Sequence, residues 1–149
     1  MITFKSITTS DIDTIVSLMQ EFYAIDNYPI AIETSKELFS EFISDEKLGK
    51  AWFILSDNHI VGYTILTFIF SFEYGGQIAF IDELYIMETA RGKGIGKSAI
   101  EFLKFEAAKL SLKLLYLEVE HHNSNAQKLY IAAGFSLHNR NLMRLKIQK

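Results

Sequence analysis

The 149-residue chain is long enough for one domain with a buried core, and its 49% hydrophobic and 22% charged residues match an ordinary globular composition. The absence of cysteine excludes disulfides, thiolate metal sites and a covalent acyl-cysteine intermediate. A formal charge of −3 argues against nucleic acid as a partner and favours cationic small molecules.

Twelve Phe and seven Tyr against a single Pro point to a strand-rich core. Residues 60–72 are strongly apolar, yet no apolar run reaches the roughly 18 residues of a membrane span. The N-terminus lacks the charged start and apolar stretch of a secretory signal, so a cytoplasmic, membrane-free protein is expected.

In chain order, residues 2–7 alternate as a short strand. Ser10, Asp11, Ile12 and Asp13 then resemble a capping box, with Asp in place of Glu or Gln. Ile12, Ile15, Val16, Met19, Phe22 and Tyr23 follow helical spacing, and Asn27-Tyr28-Pro29 ends that helix. A second, shorter helix is predicted to open at Thr34-Ser35-Lys36-Glu37, with Leu38, Phe42 and Ile43 on one face.

Two apolar runs, 51–55 and 60–70, flank Ser56-Asp57-Asn58-His59 and read as a hairpin. Tyr74-Gly75-Gly76 turns the chain into a third long strand, 78–87. From 94 to 110 the pattern is helical, with Ile95, Ala99, Phe102, Leu103, Ala107 and Leu110 on one side. A strand at 114–119 precedes a last helix capped by Asn123 or Ser124, with Gly134 as its left-handed C-cap. Strands at 135–137 and 142–147 are predicted to complete the sheet. The order describes one mixed α/β domain over residues 1–149, its helices covering both faces of the sheet.

The segment with most chemical content is Arg91-Gly92-Lys93-Gly94-Ile95-Gly96-Lys97, between a strand and a helix. Alternate glycines let the backbone approach a ligand closely and adopt left-handed conformations. The helix start adds unpaired N–H groups and partial positive charge, and Arg91, Lys93 and Lys97 add formal charge. A pyrophosphate suits such a turn, although a glycine-rich turn with solvated lysines shares the pattern. A dinucleotide fingerprint would need glycine at 97, and a P-loop would need glycine at 91. Each misses one defining residue.

Arg91-x-x-Gly94-x-Gly96 does match the signature of the GNAT N-acetyltransferase superfamily. The upstream strand Phe80-Ile81-Asp82-Glu83-Leu84-Tyr85-Ile86 resembles that family's fourth strand. Asn123, Ala126, Tyr130, Gly134 and Phe135 stand at the spacing of its N-x-x-A-x-x-x-Y-x-x-x-G-F block. The likeness runs in order along essentially the whole chain. It implies a GNAT-like fold: a mixed, mostly antiparallel central sheet flanked by helices on both faces.

The resemblance also implies roles. Backbone groups of Leu84 and Ile86 would pair with the pantetheine arm and acyl carbonyl of acetyl-CoA. Amides from Gly92 through Lys97, including those of Lys93, Gly94, Ile95 and Gly96, would hold the pyrophosphate, with Arg91 beside them. Asn123 would bond the pantetheine, and Tyr130 would serve as general acid beside the thioester sulfur. On spacing alone Tyr130 is a core aromatic, and only the surrounding block assigns it chemistry.

Asp82 and Glu83 are adjacent carboxylates in an apolar strand, so at most one faces the reaction. Burial beside Ile81 and Leu84 would raise a carboxylate towards a useful base; a solvated pair at a strand bulge is the alternative. Glu83 is preferred, Asp82 stays open, and Glu118 and Glu120 follow. Polyamine acetyltransferases of the family also carry two acidic residues here. Tyr23, Asp26, Asn27 and Tyr28 look like a substrate wall in the family's arrangement, or an ordinary helix-ending turn. His121 and His122 are not metal-spaced, and no metal is expected.

The expected activity is direct transfer of an acetyl group from acetyl-CoA to a primary amine of a small molecule or peptide, in a ternary complex. The rivals are a P-loop-like nucleotide hydrolase and a catalytically silent acyl-CoA-binding module. Family habit suggests a homodimer; no interface is legible in the sequence.

Overall fold

Alternating apolar runs place four strands side by side in antiparallel order, and a fifth joins in parallel. They are β1 (Ile2–Ser6), β2 (Gly49–Ser56), β3 (His59–Ser71), β4 (Gly76–Ile86) and β5 (Leu115–Leu117), in spatial order β1-β2-β3-β4-β5. The helices are α1 (Ile12–Ile25), α2 (Ile32–Ser44), α3 (Ile95–Lys109) and α4 (Ser124–Ala132). The computed structural model describes residues 1–148. They form two compact units, Met1–Glu118 and the segment from Val119 onward.

In the first unit each face of the sheet buries a separate apolar layer. Phe53, Tyr63, Ile65 and Tyr85 point towards α1 and α2, meeting Ile15, Val16, Met19 and Phe39. Ile54, Leu84 and Ile86 point the other way, onto Ala90, Ile95 and Ala99 of α3 and the turn before it. Phe102 of α3 stacks on Phe4, with ring centroids 4.0 Å apart, and meets the edge of Trp52. Strand periodicity therefore sorts the two layers, as a two-faced sheet requires.

Two helix starts differ from the sequence expectation. The reciprocal cap lies between Thr8 and Asp11, earlier than expected: the Asp11 carboxylate accepts from the Thr8 N–H at 2.9 Å and from its hydroxyl at 3.0 Å. A single 3-10 turn, Thr9–Asp11, then leads into α1. Helix α2 opens at Ile32, before Thr34, from Ala31 with no side-chain cap.

The second unit holds α4. Asn123 is its N-cap, its side-chain oxygen accepting from the Ala126 N–H at 3.2 Å. The helix ends in a Schellman motif. Gly134 is left-handed at φ 102°, its N–H bonds the Ile131 carbonyl at 3.1 Å, and the Phe135 N–H bonds the Tyr130 carbonyl at 3.0 Å.

The strands expected at 135–137 and 142–147 are not among the five. Those residues form no strand, and Leu142, Met143, Leu145 and Ile147 are exposed. Alternation marks a capacity to pair, but a strand exists only where a ladder partner is supplied.

Candidate active site

Strand β4 is irregular where its two carboxylates lie. Ile65 of β3 stands opposite Glu83, whereas Leu66 stands opposite Ile81, so Asp82 is the extra residue of a β-bulge. Regular alternation would put Ile81 and Glu83 on the same face. The bulge instead turns Glu83 towards α1 with Ile65, while Ile81 stays with Leu66 on the α3 side. The sequence alternatives at this position both hold in part: there is a bulge, and one of the two carboxylates is packed.

Glu83 is gripped from two elements. The Tyr63 hydroxyl, in β3, donates to Oε1 at 2.6 Å, and the Tyr23 hydroxyl, in α1, donates to Oε2 at 2.7 Å. The Thr64 hydroxyl, fully buried, donates to the Glu83 carbonyl at 3.0 Å. Burial lifts the Glu83 carboxyl above its usual range; the two phenol donors pull it back down, and the charge of Asp82 pushes it up again. Both phenols are themselves held well above the ordinary tyrosine range, by burial first and then by the Glu83 charge. They remain donors at any working pH. Asp82 is exposed at the bulge, and its carboxyl is raised by partial burial first and then by the charge of Glu118.

The bulge also ends a ladder. The parallel pairing of β4 with β5 stops at Ile81–Leu117, so among the described residues no strand pairs with β4 beyond it on that side. The Met87 N–H bonds the Val61 carbonyl of β3 at 2.8 Å, which fixes the alternation of the peptide groups. Backbone groups of Tyr85 and Met87 thus face β3, while those of Leu84 and Ile86 face the open side. The Ile86 carbonyl already accepts from Arg91 Nε at 2.9 Å.

That open edge leads into the glycine turn. Ala90 and Ile95, both buried, pin its two ends against the α3 face of the sheet. Between them Gly92 and Gly94 are left-handed, each at φ 77°, and a side chain at either would meet open space. The first bond of α3 runs from the Ser98 N–H to the Gly94 carbonyl at 3.2 Å. Among the described residues, the amides from Gly92 through Lys97 have no backbone acceptor. Six free amides at a helix start form an anion cradle, with Arg91, Lys93 and Lys97 exposed around it.

The remaining expected residues are distributed as follows. Of the four residues expected in a substrate wall, Tyr23 is the one that bonds Glu83. Asp26 caps α1, Asn27 is left-handed at φ 56°, and the exposed Tyr28 folds its N–H back to the Tyr23 carbonyl at 2.9 Å. In the second unit the Tyr130 ring packs edge-on against Phe135, with centroids 5.9 Å apart. The Y-x-x-x-G-F spacing thereby acquires a physical cause, since the Schellman turn at Gly134 sets Phe135 on Tyr130. Burial raises the Tyr130 phenol above its ordinary range. The His121 and Glu120 carbonyls accept from the Gln127 side chain at 3.1 and 3.2 Å, which ties that turn to α4.

Sequence reasoning missed Tyr63, Thr64 and Glu21. Glu21 accepts from the Tyr85 hydroxyl at 3.2 Å, and with Tyr85, Glu88 and Arg91 it lines a cavity of about 370 Å³. Tyr63 reads as one more apolar position of a core strand. Only its register, two residues from the site opposite Glu83, reveals its partner. Among the described residues no cluster of His, Cys, Asp and Glu could hold a metal, and no helix is long and apolar enough to cross a membrane.

Compared with known proteins, the profile described as "Acetyltransferase (GNAT) family" matches residues 13–135. The chain belongs to this family. It is thus an N-acetyltransferase in class. The D-amino-acid N-acetyltransferase HPA3 of Saccharomyces cerevisiae is 27% identical over 139 residues, covering 90% of this chain and 84% of that protein. An integron cassette protein from the mobile metagenome of Cole Harbour Salt Marsh is 29% identical, with a TM-score of 0.87 over 98% of this chain and 91% of that one. A Clostridium acetobutylicum protein, described as a predicted acetyltransferase with acetyl-CoA, shares the fold at a TM-score of 0.81 and 18% identity, over 97% of this chain and 96% of that one.

Proposed function

We propose that the chain works as a single domain that transfers the acetyl group of acetyl-CoA directly to a primary amine of a small molecule or peptide. The observation that carries this reading is the juxtaposition of an unpaired β4 edge with six acceptor-free amides at the start of α3. An extended chain with amide groups can add to such an edge, and a doubly charged pyrophosphate suits the cradle at its end. The pantetheine arm and pyrophosphate of acetyl-CoA have that order. The acetyl-CoA named for the structurally similar clostridial protein is consistent with it.

Leu84 and Ile86 then bind the arm, and Gly92 through Lys97 bind the phosphates. Asn123, whose Oδ1 is engaged in capping, keeps its amide hydrogens for the pantetheine. Glu83 takes the proton of the attacking amine, directly or through one water, as the C–N bond forms. Tyr130, kept protonated by burial, gives its proton to the departing sulfur as the C–S bond breaks. The chain has no cysteine to carry an acyl group, which supports direct transfer with both substrates bound together. Tyr23, Asp26, Asn27 and Tyr28 border the amine, and a cytoplasmic setting supplies the cofactor. The family match weighs against nucleotide hydrolysis.

The test is an amine panel with released CoA as readout and D-amino acids, L-amino acids, diamines and short peptides as acceptors; the yeast relative's name puts D-amino acids first. Acetyl-CoA binding by calorimetry accompanies it. Binding without turnover on any acceptor would favour the silent acyl-CoA module; no binding would sink both readings.

A further inference from the structure

The grip on Glu83 uses more of the molecule than packing requires. Tyr63 is 0% exposed, in the middle of an apolar layer containing Ile15, Val16, Met19 and Phe22. A carboxylate in that setting is costly unless its oxygens are bonded. Here each oxygen receives one phenol, from two different elements, and the backbone of the same residue is tied by Thr64. A carboxylate has about four acceptor positions, so each oxygen keeps one for a water or an amine. Two donors thus fix where the free lone pairs point.

We propose that Tyr63 and Tyr23 are positioning residues for the acetyl-transfer reaction, a two-pronged phenol clamp that aims the Glu83 carboxylate and holds it ionised to receive the amine proton. The inference rests on Glu83 being the base of the proposed function, and it assigns Tyr23 a role beyond bordering the substrate. The groups facing Glu83 are Tyr23 from α1, Tyr63 from β3 and Asp82 beside it on β4; Tyr85 of β4 faces Tyr63, and Glu21 of α1 faces Tyr85. Of these, only the two phenols donate hydrogen bonds to the carboxylate. Removing one therefore weakens the ionised form, and the carboxyl becomes harder to deprotonate. Since the base works ionised, activity then rises at higher pH than before.

The experiment is ¹³C NMR of protein labelled at glutamate Cδ, with the Glu83 signal assigned by its loss in Glu83→Gln. Its titration is followed in the wild type, Tyr63→Phe and Tyr23→Phe, beside pH profiles of kcat/KM with the best amine of the panel. Each phenylalanine variant should move the Glu83 midpoint up by about one pH unit, carrying the acid limb of the profile with it. Acetyl-CoA affinity should stay near wild type. Midpoint and limb unmoved in both variants, with the limb lost in Glu83→Gln, would show that the phenols only pack, and would overturn the proposal. A limb that persists even in Glu83→Gln removes Glu83 from the chemistry and takes the clamp's role with it, while acetyl transfer itself stands. If Tyr63→Phe does not fold, the half-buried Tyr23→Phe decides by the same two readouts.

Discussion

Gly62→Ala tests how closely fold and candidate cofactor edge are joined. Gly62 sits in β3 between Ile54 of β2 and Ile86 of β4, beside the register shift at Ile54 and Leu55. A Cβ there would lie 2.0 Å from the Tyr85 carbonyl oxygen, 3.1 Å from its carbon and 3.2 Å from Ile86 Cα. A carbon needs roughly 3.3 Å from a carbonyl oxygen, so the strands must part by about 1 Å. The obstructing atoms are backbone, and no rotamer relieves them. Overpacking of this kind costs about 1–3 kcal/mol, and a broken ladder bond adds about 1 kcal/mol. For a chain of this length the melting temperature should fall by about 5–15 °C. Because Tyr85 and Ile86 shift, the peptide groups of Leu84 and Ile86 lose their aim, and acetyl-CoA should bind about tenfold more weakly, equivalent to about 1.4 kcal/mol. Thermal melting by circular dichroism and calorimetry with acetyl-CoA measure the two effects. Gly75→Ala is the control: it also faces strain, at φ 78°, but its Cβ meets open space, so it should lose some stability and no affinity. An unchanged melting temperature and affinity in Gly62→Ala would refute the reasoning.

Four further outcomes are expected. Gly94→Asp, at φ 77° with open space around the new Cβ, should cost only about 1–2 kcal/mol in strain but lose most acetyl-CoA affinity by calorimetry; retained affinity would return the turn to a plain glycine connection. Tyr130→Phe keeps the ring on Phe135 and should lower kcat about 10²-fold at unchanged cofactor affinity, whereas wild-type turnover would leave Tyr130 a packed aromatic. Glu83→Gln should lower kcat by about 10²-fold or more and Asp82→Asn much less; the reverse order would make the bulged carboxylate the base. Leu103→Ala, at a position 0% exposed in α3, should cost about 2–5 kcal/mol in chemical denaturation, and a near-zero cost would mean the α3 layer is looser than described.

What the sequence determined by itself was local in origin. The glycine turn at 91–97 is legible because left-handed backbone and free helix-start amides depend on residues a few positions apart. The Tyr130–Phe135 block is legible for the same reason, since a Schellman turn needs a glycine one step past the helix and an apolar residue after it. The core strands and helices followed from their periods, with ends displaced by a residue or two, as at the Thr8 cap and the uncapped start at Ile32. Tertiary structure decided what depends on register. Whether Asp82 or Glu83 is packed could not be read from a pattern of period two, because one inserted residue reverses the facing of everything beyond it. Tyr63 and Tyr23 lie 20 and 60 positions from Glu83, and only the pairing of β3 with β4 and the seat of α1 on that face bring them to its carboxylate. The alternating residues at 142–147 complete the contrast: they have the strand pattern, but a strand also requires a neighbour to bond, and the pattern alone does not supply one.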